Sequence, residues 1–300
     1  MNVRQEARQG TVIDGTTRVA GVIGDPVAHT LSPPMHNAAF ASQGLGWVYV
    51  PFRVAPEHLG EAVRAVRALN LAGLNVTIPH KVAVLEYLDE LDESARLIGA
   101  VNTIVNKGGR LIGYNTDGAG FLRSLRSDAG TEPRGRSLLL VGAGGAARAI
   151  GVQLVLEGAS RVDVANRTYE KAKDLAQHLT QGAGGQSRAY ALDELTPQVL
   201  RGYDVIVHTT SWGMAPQADV PPLISSDALS PDTLVCDIVY TPRETTLLRA
   251  AKAQGCRVLE GLGMLVHQAA LAYELWTGQR APVDVMYSVL ETKLAERETD

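Results

Sequence analysis

Residues 137–159, SLLLVGAGGAARAIGVQLVLEGA, constrain the fold of this chain more than any other stretch. They approach the length of a membrane span, yet Arg148 and the glycines at 142–145 divide them into a strand, a tight loop and a helix. A strand that leaves a glycine turn directly as a helix opens a βαβ unit, and such units build a parallel sheet with helices on its faces. Gly142, Gly144 and Ala147 form a G-x-G-x-x-A arrangement at that turn. There the backbone can approach a pyrophosphate, whose charge is met by main-chain amides and the positive end of the helix dipole. This stretch predicts a dinucleotide-binding half; the bland reading is an ordinary tight turn.

The same alternation runs through the rest of the chain. RVAGVIG (18–24), WVYVPFRV (47–54) and LAGLNVTI (71–78) alternate with helical patterns at 33–43, 56–69 and 80–90. After SLLLVGAGG come RVDVANR, YDVIVHTT, TLVCDIVY and CRVLEGLG, again with helices between. Two series predict an α/β fold of two α/β domains, the first with a mostly parallel sheet and the second Rossmann-like, with a junction near GYNTDGAGF. A helical stretch over 264–288 follows the last strand, and residues 1–17, which carry no clear period, read as an extension.

Apolar residues make up 45% of the 300 and charged residues 20%, so the chain has the composition of a folded protein. With 28 Lys and Arg against 32 Asp and Glu, the charge of -4 disfavours a general nucleic-acid surface and leaves a small molecule as the expected partner. Cys236 and Cys256 are too few for a disulfide framework or a thiolate zinc site. His29 and His36 lack cysteine or acidic companions, so no metal site is expected. MNVRQEARQG has no apolar signal-peptide core, and the expected location is the cytoplasm, away from membrane.

In the second series, an NAD enzyme would carry an acidic residue at the end of the next strand to hold the ribose hydroxyls. Asn166 and Arg167 stand there instead, with Lys171 four residues on. A guanidinium fork suits a phosphate monoester, which predicts NADP as the cofactor. The alternative is a solvated arginine beside a helix capped by Thr168.

In the first series, LNVTIPHKVAV predicts a strand ending at Thr77, Pro79 in the first helical turn and Lys81 at the helix start, where open α/β sheets collect ligands. GAVNTI adds Asn102, and GYNTDGAG adds Asn115 and Asp117; taken singly, each is as easily a turn or cap residue. In DPVAHTLSPPMHN (25–37), Ser32 reads as an N-cap with Pro33 at the first helical position, a helix tip that favours an anion. A capping serine still has a proton to donate, and Thr30 adds a second donor, so a carboxylate would fit.

GDPVAHTLSPPMHN, NVTIPHK, GAVNT, NTDGAG, GAGGAARA, NRT, TTSWGM, DIVYTP and GLGMLVHQAA, in this order from about residue 20 to about 285, resemble the shikimate dehydrogenase family. The resemblance implies NADP-dependent interconversion of 3-dehydroshikimate and shikimate, on the way to chorismate and the aromatic amino acids. It implies a substrate domain at 18–116 plus 262–290 and an NADP domain at 117–261. Thr30 and Ser32 then match hydroxyls that hold the substrate carboxylate, and Thr77, Asn102, Asp117, Tyr240 and Gln268 its other neighbours. Lys81 matches the catalytic lysine, with Asp117 as its companion in the chemistry. Gly142, Ala143, Gly144, Gly145 and Ala146 match the phosphate loop, Asn166, Arg167, Thr168 and Lys171 the adenosine phosphate grip, and Ile238 and Gly261 the nicotinamide neighbours. A homodimer is compatible with the resemblance without being required by it. Two positions depart from the family pattern: Thr30 replaces a usual serine, and Glu260 a common aspartate. A dual quinate/shikimate dehydrogenase and a noncatalytic NADP sensor are the competing readings.

Overall fold

Each apolar run of the two series forms a strand in the computed structural model, which describes residues 13–299. In chain order the first half comprises β1 (Arg18–Gly24), α1 (Ser32–Ser42), β2 (Trp47–Arg53), α2 (Leu59–Ala68), β3 (Gly73–Val76), β4 (Glu90–Leu91), α3 (Glu93–Ile98), β5 (Thr103–Lys107), β6 (Arg110–Tyr114) and α4 (Thr116–Ser127). The second half comprises β7 (Ser137–Val141), α5 (Gly145–Leu156), β8 (Arg161–Asn166), α6 (Tyr169–Gln177), β9 (Ala189–Ala191), α7 (Pro197–Leu200), β10 (Val205–His208), β11 (Leu234–Asp237), α8 (Thr246–Ala253), β12 (Arg257–Leu259), α9 (Gly261–Thr277) and α10 (Val283–Thr299). The chain divides into two units: one holds the described residues to Glu90 with Val101–Gly113 and those from Ala272 on, and the other holds Leu91–Ala100 with Tyr114–Leu271. Of the expected extension, residues 1–12 lie outside the described residues; at 14–17 the Thr17 backbone N–H returns to the Asp14 carbonyl.

The sheet of the first unit has the order β2-β1-β3-β5-β6-β4. β1 runs parallel to both β2 and β3, and the sheet turns antiparallel where β5 joins β3. α2 lays Leu59, Val63 and Val66, spaced four and three apart, into the core, which is the helical stripe expected of its pattern. No α-helix follows Lys81. The chain makes turns and then a short 3-10 segment at Ala83–Tyr87, because β-branched Val82 and Val84 favour helix weakly and the segment must reach β4 within a few residues. The stretch over 264–288 is two helices, separated by Gly278 and Pro282.

The sheet of the second unit has the order β12-β11-β10-β7-β8-β9, and all its strands are parallel. Chain order reverses between β7 and β10, so the carboxyl ends of these two strands flank the switch point where such sheets bind ligands. Both faces are covered. Leu138 and Leu140 pack with Ile150 and Leu154 of α5, while Leu139 and Val141 pack on the side of Leu247 and Leu248 of α8. Burying each such side chain contributes roughly 1.5–3 kcal/mol, which fixes the strand ends that carry the polar residues discussed below.

In the first unit an aromatic group surrounds His36, which is fully buried and stacks on Tyr49 with ring centroids 4.4 Å apart. Phe40 and Trp276 close its other sides, and among the described residues neither ring nitrogen has a hydrogen-bond partner. Burial therefore pushes the imidazole from an ordinary 6.5 down to about 3. The unfolded chain binds a proton at His36 below pH 6.5 and the folded chain does not until about pH 3, so stability falls as pH drops through that window. Between pH 7 and pH 4.5 this one group should remove about 2–3 kcal/mol. Urea unfolding of the wild type and His36→Leu at both pH values tests this. The gap between the two proteins should shift in favour of the leucine variant by that amount at pH 4.5; a gap independent of pH would contradict it.

Candidate active site

α1 begins at Ser32 itself, with Leu31 at the N-cap and no side-chain cap there, one residue from the expected arrangement. The reason is Thr30, whose Oγ1 accepts the Ser32 backbone N–H at 3.3 Å. Pro33 and Pro34 have no N–H, so the first turn presents no other amide to an anion. An anion placed at this tip would therefore meet hydroxyls rather than amides. The Thr30 hydroxyl donates to Ser32 Oγ at 3.2 Å, while burial raises the pKa of the Tyr49 hydroxyl and the nearby Ser32 tempers the rise.

Tyr49 donates to Asn75 Oδ1 at 2.7 Å, and Asn75 Nδ2 donates to Thr103 Oγ1 at 3.0 Å and the Asn102 carbonyl at 3.2 Å. Thr103 completes the chain by donating to Asn102 Oδ1 at 2.9 Å. Tyr49, Asn75, Thr103 and Asn102 are therefore linked by one buried polar network, which fixes which way round the Asn102 amide stands. Sequence reading missed Tyr49, Asn75 and Thr103. The available signal was a hydrogen-bonding side chain inside an apolar strand, which must find buried partners.

Thr77 follows β3 and donates its backbone N–H to Ile23 at 3.0 Å. Lys81 is half-buried in a loop held on both sides: buried His80 bonds the Val54 carbonyl through Nε2 at 2.7 Å, and the Lys81 carbonyl accepts Val101 N–H at 2.8 Å. These anchors, rather than a helix start, set its position.

Asp117, Tyr240 and Gln268 belong to the second unit. Asn115 is the N-cap of α4, accepting Asp117 N–H at 3.1 Å and donating to the Ala100 carbonyl at 3.0 Å, so its structural reading holds. That cap places Asp117 in the first turn of α4. Gly120 of the same helix lies so close to Gln268 that any Cβ would run into the Gln268 backbone, so only glycine brings α9 that near. Tyr240 lies after β11, and Arg243, three residues on, donates to Glu260 at 2.6 Å. The longer glutamate thus ties the end of β12 to the Tyr240 loop.

Gly142, Asn166 and Arg167 come together in a pocket of about 260 Å³, open to solvent and also lined by Val141, Leu192, Thr210, Ser211, Trp212 and Leu223. Gly142 has φ +126°, and a Cβ there would strike the Thr209 hydroxyl. Around Gly144 and Gly145, by contrast, nothing lies within 4 Å of a would-be Cβ, so no protein neighbour demands glycine. That open cradle at the uncapped start of α5 fits a diphosphate pressed onto the backbone. Ala143 and Ala146 share this loop without lining the pocket. Arg167 is exposed at the pocket edge, and the Asn166 amide donates to the Thr168 carbonyl at 3.0 Å. Thr168 is the N-cap of α6 yet makes no capping bond; it and Lys171 are exposed and lie outside the pocket lining. Ile238 and Gly261 are also outside it, in contact so close that a Cβ on Gly261 would meet the Ile238 carbonyl. Among the described residues no group of His, Cys, Asp and Glu is placed to hold a metal, and no helix is long and apolar enough to cross a membrane.

Family models match three segments: "Shikimate dehydrogenase substrate binding domain" at 22–104, "Shikimate / quinate 5-dehydrogenase" at 126–243 and "Shikimate 5'-dehydrogenase C-terminal domain" at 261–291. A shikimate dehydrogenase (NADP(+)) of Desulforamulus reducens is 48% identical over 285 residues, covering 95% of this chain and 98% of its own. A solved shikimate dehydrogenase in complex with NADP+ is 41% identical with a TM-score of 0.89, covering 96% of this chain and 99% of that one. The ligand-free 5-ketofructose reductase of Gluconobacter sp. strain CHM43 is 38% identical with a TM-score of 0.87, covering 93% and 99%.

Proposed function

This chain belongs to the shikimate dehydrogenase family and is an NADP-dependent oxidoreductase, and on that premise we propose how its residues interconvert shikimate and 3-dehydroshikimate. Bound NADPH supplies the hydride that reduces the ring ketone. Lys81, as an ammonium, donates the proton to the oxygen that becomes the hydroxyl, and as a neutral amine it takes that proton back in the oxidative direction. Asp117 orients the neighbouring ring hydroxyl. Thr30 and Ser32 hold the carboxylate, and Thr77, Asn102, Tyr240 and Gln268 contact the remaining polar edges. Gly142 to Ala146 cradle the diphosphate, Asn166, Arg167, Thr168 and Lys171 grip the adenosine phosphate, and Ile238 and Gly261 flank the nicotinamide.

The substrate-binding part is assigned to residues 18–116 plus 262–290 and the cofactor part to 117–261. The enzyme works in the cytoplasm, with shikimate or 3-dehydroshikimate as its partner and no nucleic acid or membrane. A homodimer is a matter for sedimentation analysis.

The observation that carries the substrate reading is the Thr30–Ser32 hydroxyl pair, in which Ser32 keeps its own proton to donate, at a helix tip whose prolines remove the amides. Such a tip suits a carboxylate that accepts hydroxyl donors. Shikimate, quinate and 5-ketofructose, each assayed with NADP(H) and NAD(H), test it. Shikimate with NADP+ should give the highest kcat/KM, by about tenfold or more over each other pairing. Preference for the ketosugar, which has no carboxylate, would overturn the reading.

A further inference from the structure

The steps above leave one buried polar chain of the second unit unused. His208, only 3% exposed at the end of β10, places Nδ1 2.9 Å from Asp237 Oδ1 and Nε2 2.6 Å from Thr210 Oγ1. Asp237 also accepts Val239 N–H on Oδ1 at 3.0 Å and the Thr245 hydroxyl on Oδ2 at 2.7 Å. Both carboxylate oxygens already serve as acceptors, so the proton shared with His208 sits on Nδ1, and Nε2 is left to pair with the Thr210 hydroxyl. Thr210 Oγ1 in turn accepts the Trp212 backbone N–H at 3.1 Å.

Thr210 and Trp212 line the pocket that holds Gly142 and Arg167. His208 and Asp237 line a small adjoining cavity of about 10 Å³ that shares Val141, Trp212 and Leu223 with it. The geometry points to His208 as a positioning residue for the cofactor. Anchored on Asp237, it sets the rotamer of Thr210 and so holds the 210–212 turn in the shape that NADP binds. The inference rests on the NADP reading of that pocket.

Two substitutions separate the links. His208→Asn keeps an N–H within reach of Asp237 but is too short to bond Thr210, and Thr210→Val removes the hydroxyl while keeping the shape. Each should raise KM for NADP+ by about 5–10-fold, the size of one lost hydrogen bond in a buried chain, with the shikimate KM and kcat moving less than about twofold. Because both break the same chain, the double variant should be no worse than the more affected single variant. A Thr210→Val enzyme whose KM for NADP+ stays within about twofold of wild type, or a double variant whose losses multiply, overturns the inference. Thr210 is only half-buried, so its variant carries the test if His208→Asn does not fold. The Kd for NADP+, measured calorimetrically on the same proteins, reads the effect even if shikimate is not the substrate. A wild type that binds NADP+ without oxidising shikimate would overturn the substrate reading alone.

Discussion

Lys81→Ala is expected to lower kcat for shikimate oxidation by at least ~10²-fold while KM for NADP+ stays within about twofold, as measured by steady-state kinetics under saturating substrate. The asymmetry follows from location. Lys81 belongs to the unit that contains Thr30, Ser32 and Asn102, whereas the pocket with Gly142 and Arg167 belongs to the other, so removing the amine leaves the cofactor contacts intact. The loop around Lys81 is fixed by His80 and by the backbone bond to Val101, neither of which involves the lysine side chain. The variant should therefore fold, and its loss can be read as chemistry. Lys81→Arg should be nearly as slow in oxidation, since a guanidinium stays protonated and cannot act as the base. Near-normal turnover in either variant would remove Lys81 from the proton transfer.

Arg167→Glu is expected to raise KM for NADPH by about 10–100-fold and to change KM for NADH by much less. NADPH and NADH differ only in the phosphate that the arginine fork is proposed to hold. Arg167 is exposed, so the loss stays below what a buried phosphate clamp would give, but a glutamate also repels the phosphate. Equal effects on the two cofactors would mean that Arg167 serves the diphosphate or the pocket wall.

Much of this arrangement is legible along the chain because its determinants are local. A strand, a glycine turn and a helix follow one another within residues 137–156, and Asn166 and Arg167 fall at the end of the next strand by position alone. What stayed hidden depends on distant partners. Tyr49, Asn75 and Thr103 look like ordinary strand residues until pairing of β1, β2, β3 and β5 brings their polar groups together. The start of α1 shifted by one residue because Thr30, rather than Ser32, accepts the first free N–H. The helix expected after Lys81 failed because the Lys81 carbonyl is taken by Val101 N–H, a tertiary preference that outweighs a weak local one. Two signals were present and unread. Gly108-Gly109, set between TIVNK and RLIGY, marks the connection of β5 to β6, and Gly278 with Pro282 marks the break between α9 and α10.

The most direct test is a crystal structure of the enzyme with shikimate and NADP+ bound. The Lys81 amine should lie within hydrogen-bond distance, about 2.6–3.2 Å, of the ring hydroxyl that is oxidised, with the carboxylate on Thr30 and Ser32. A lysine turned out to solvent, with the carboxylate held elsewhere, would contradict the mechanism.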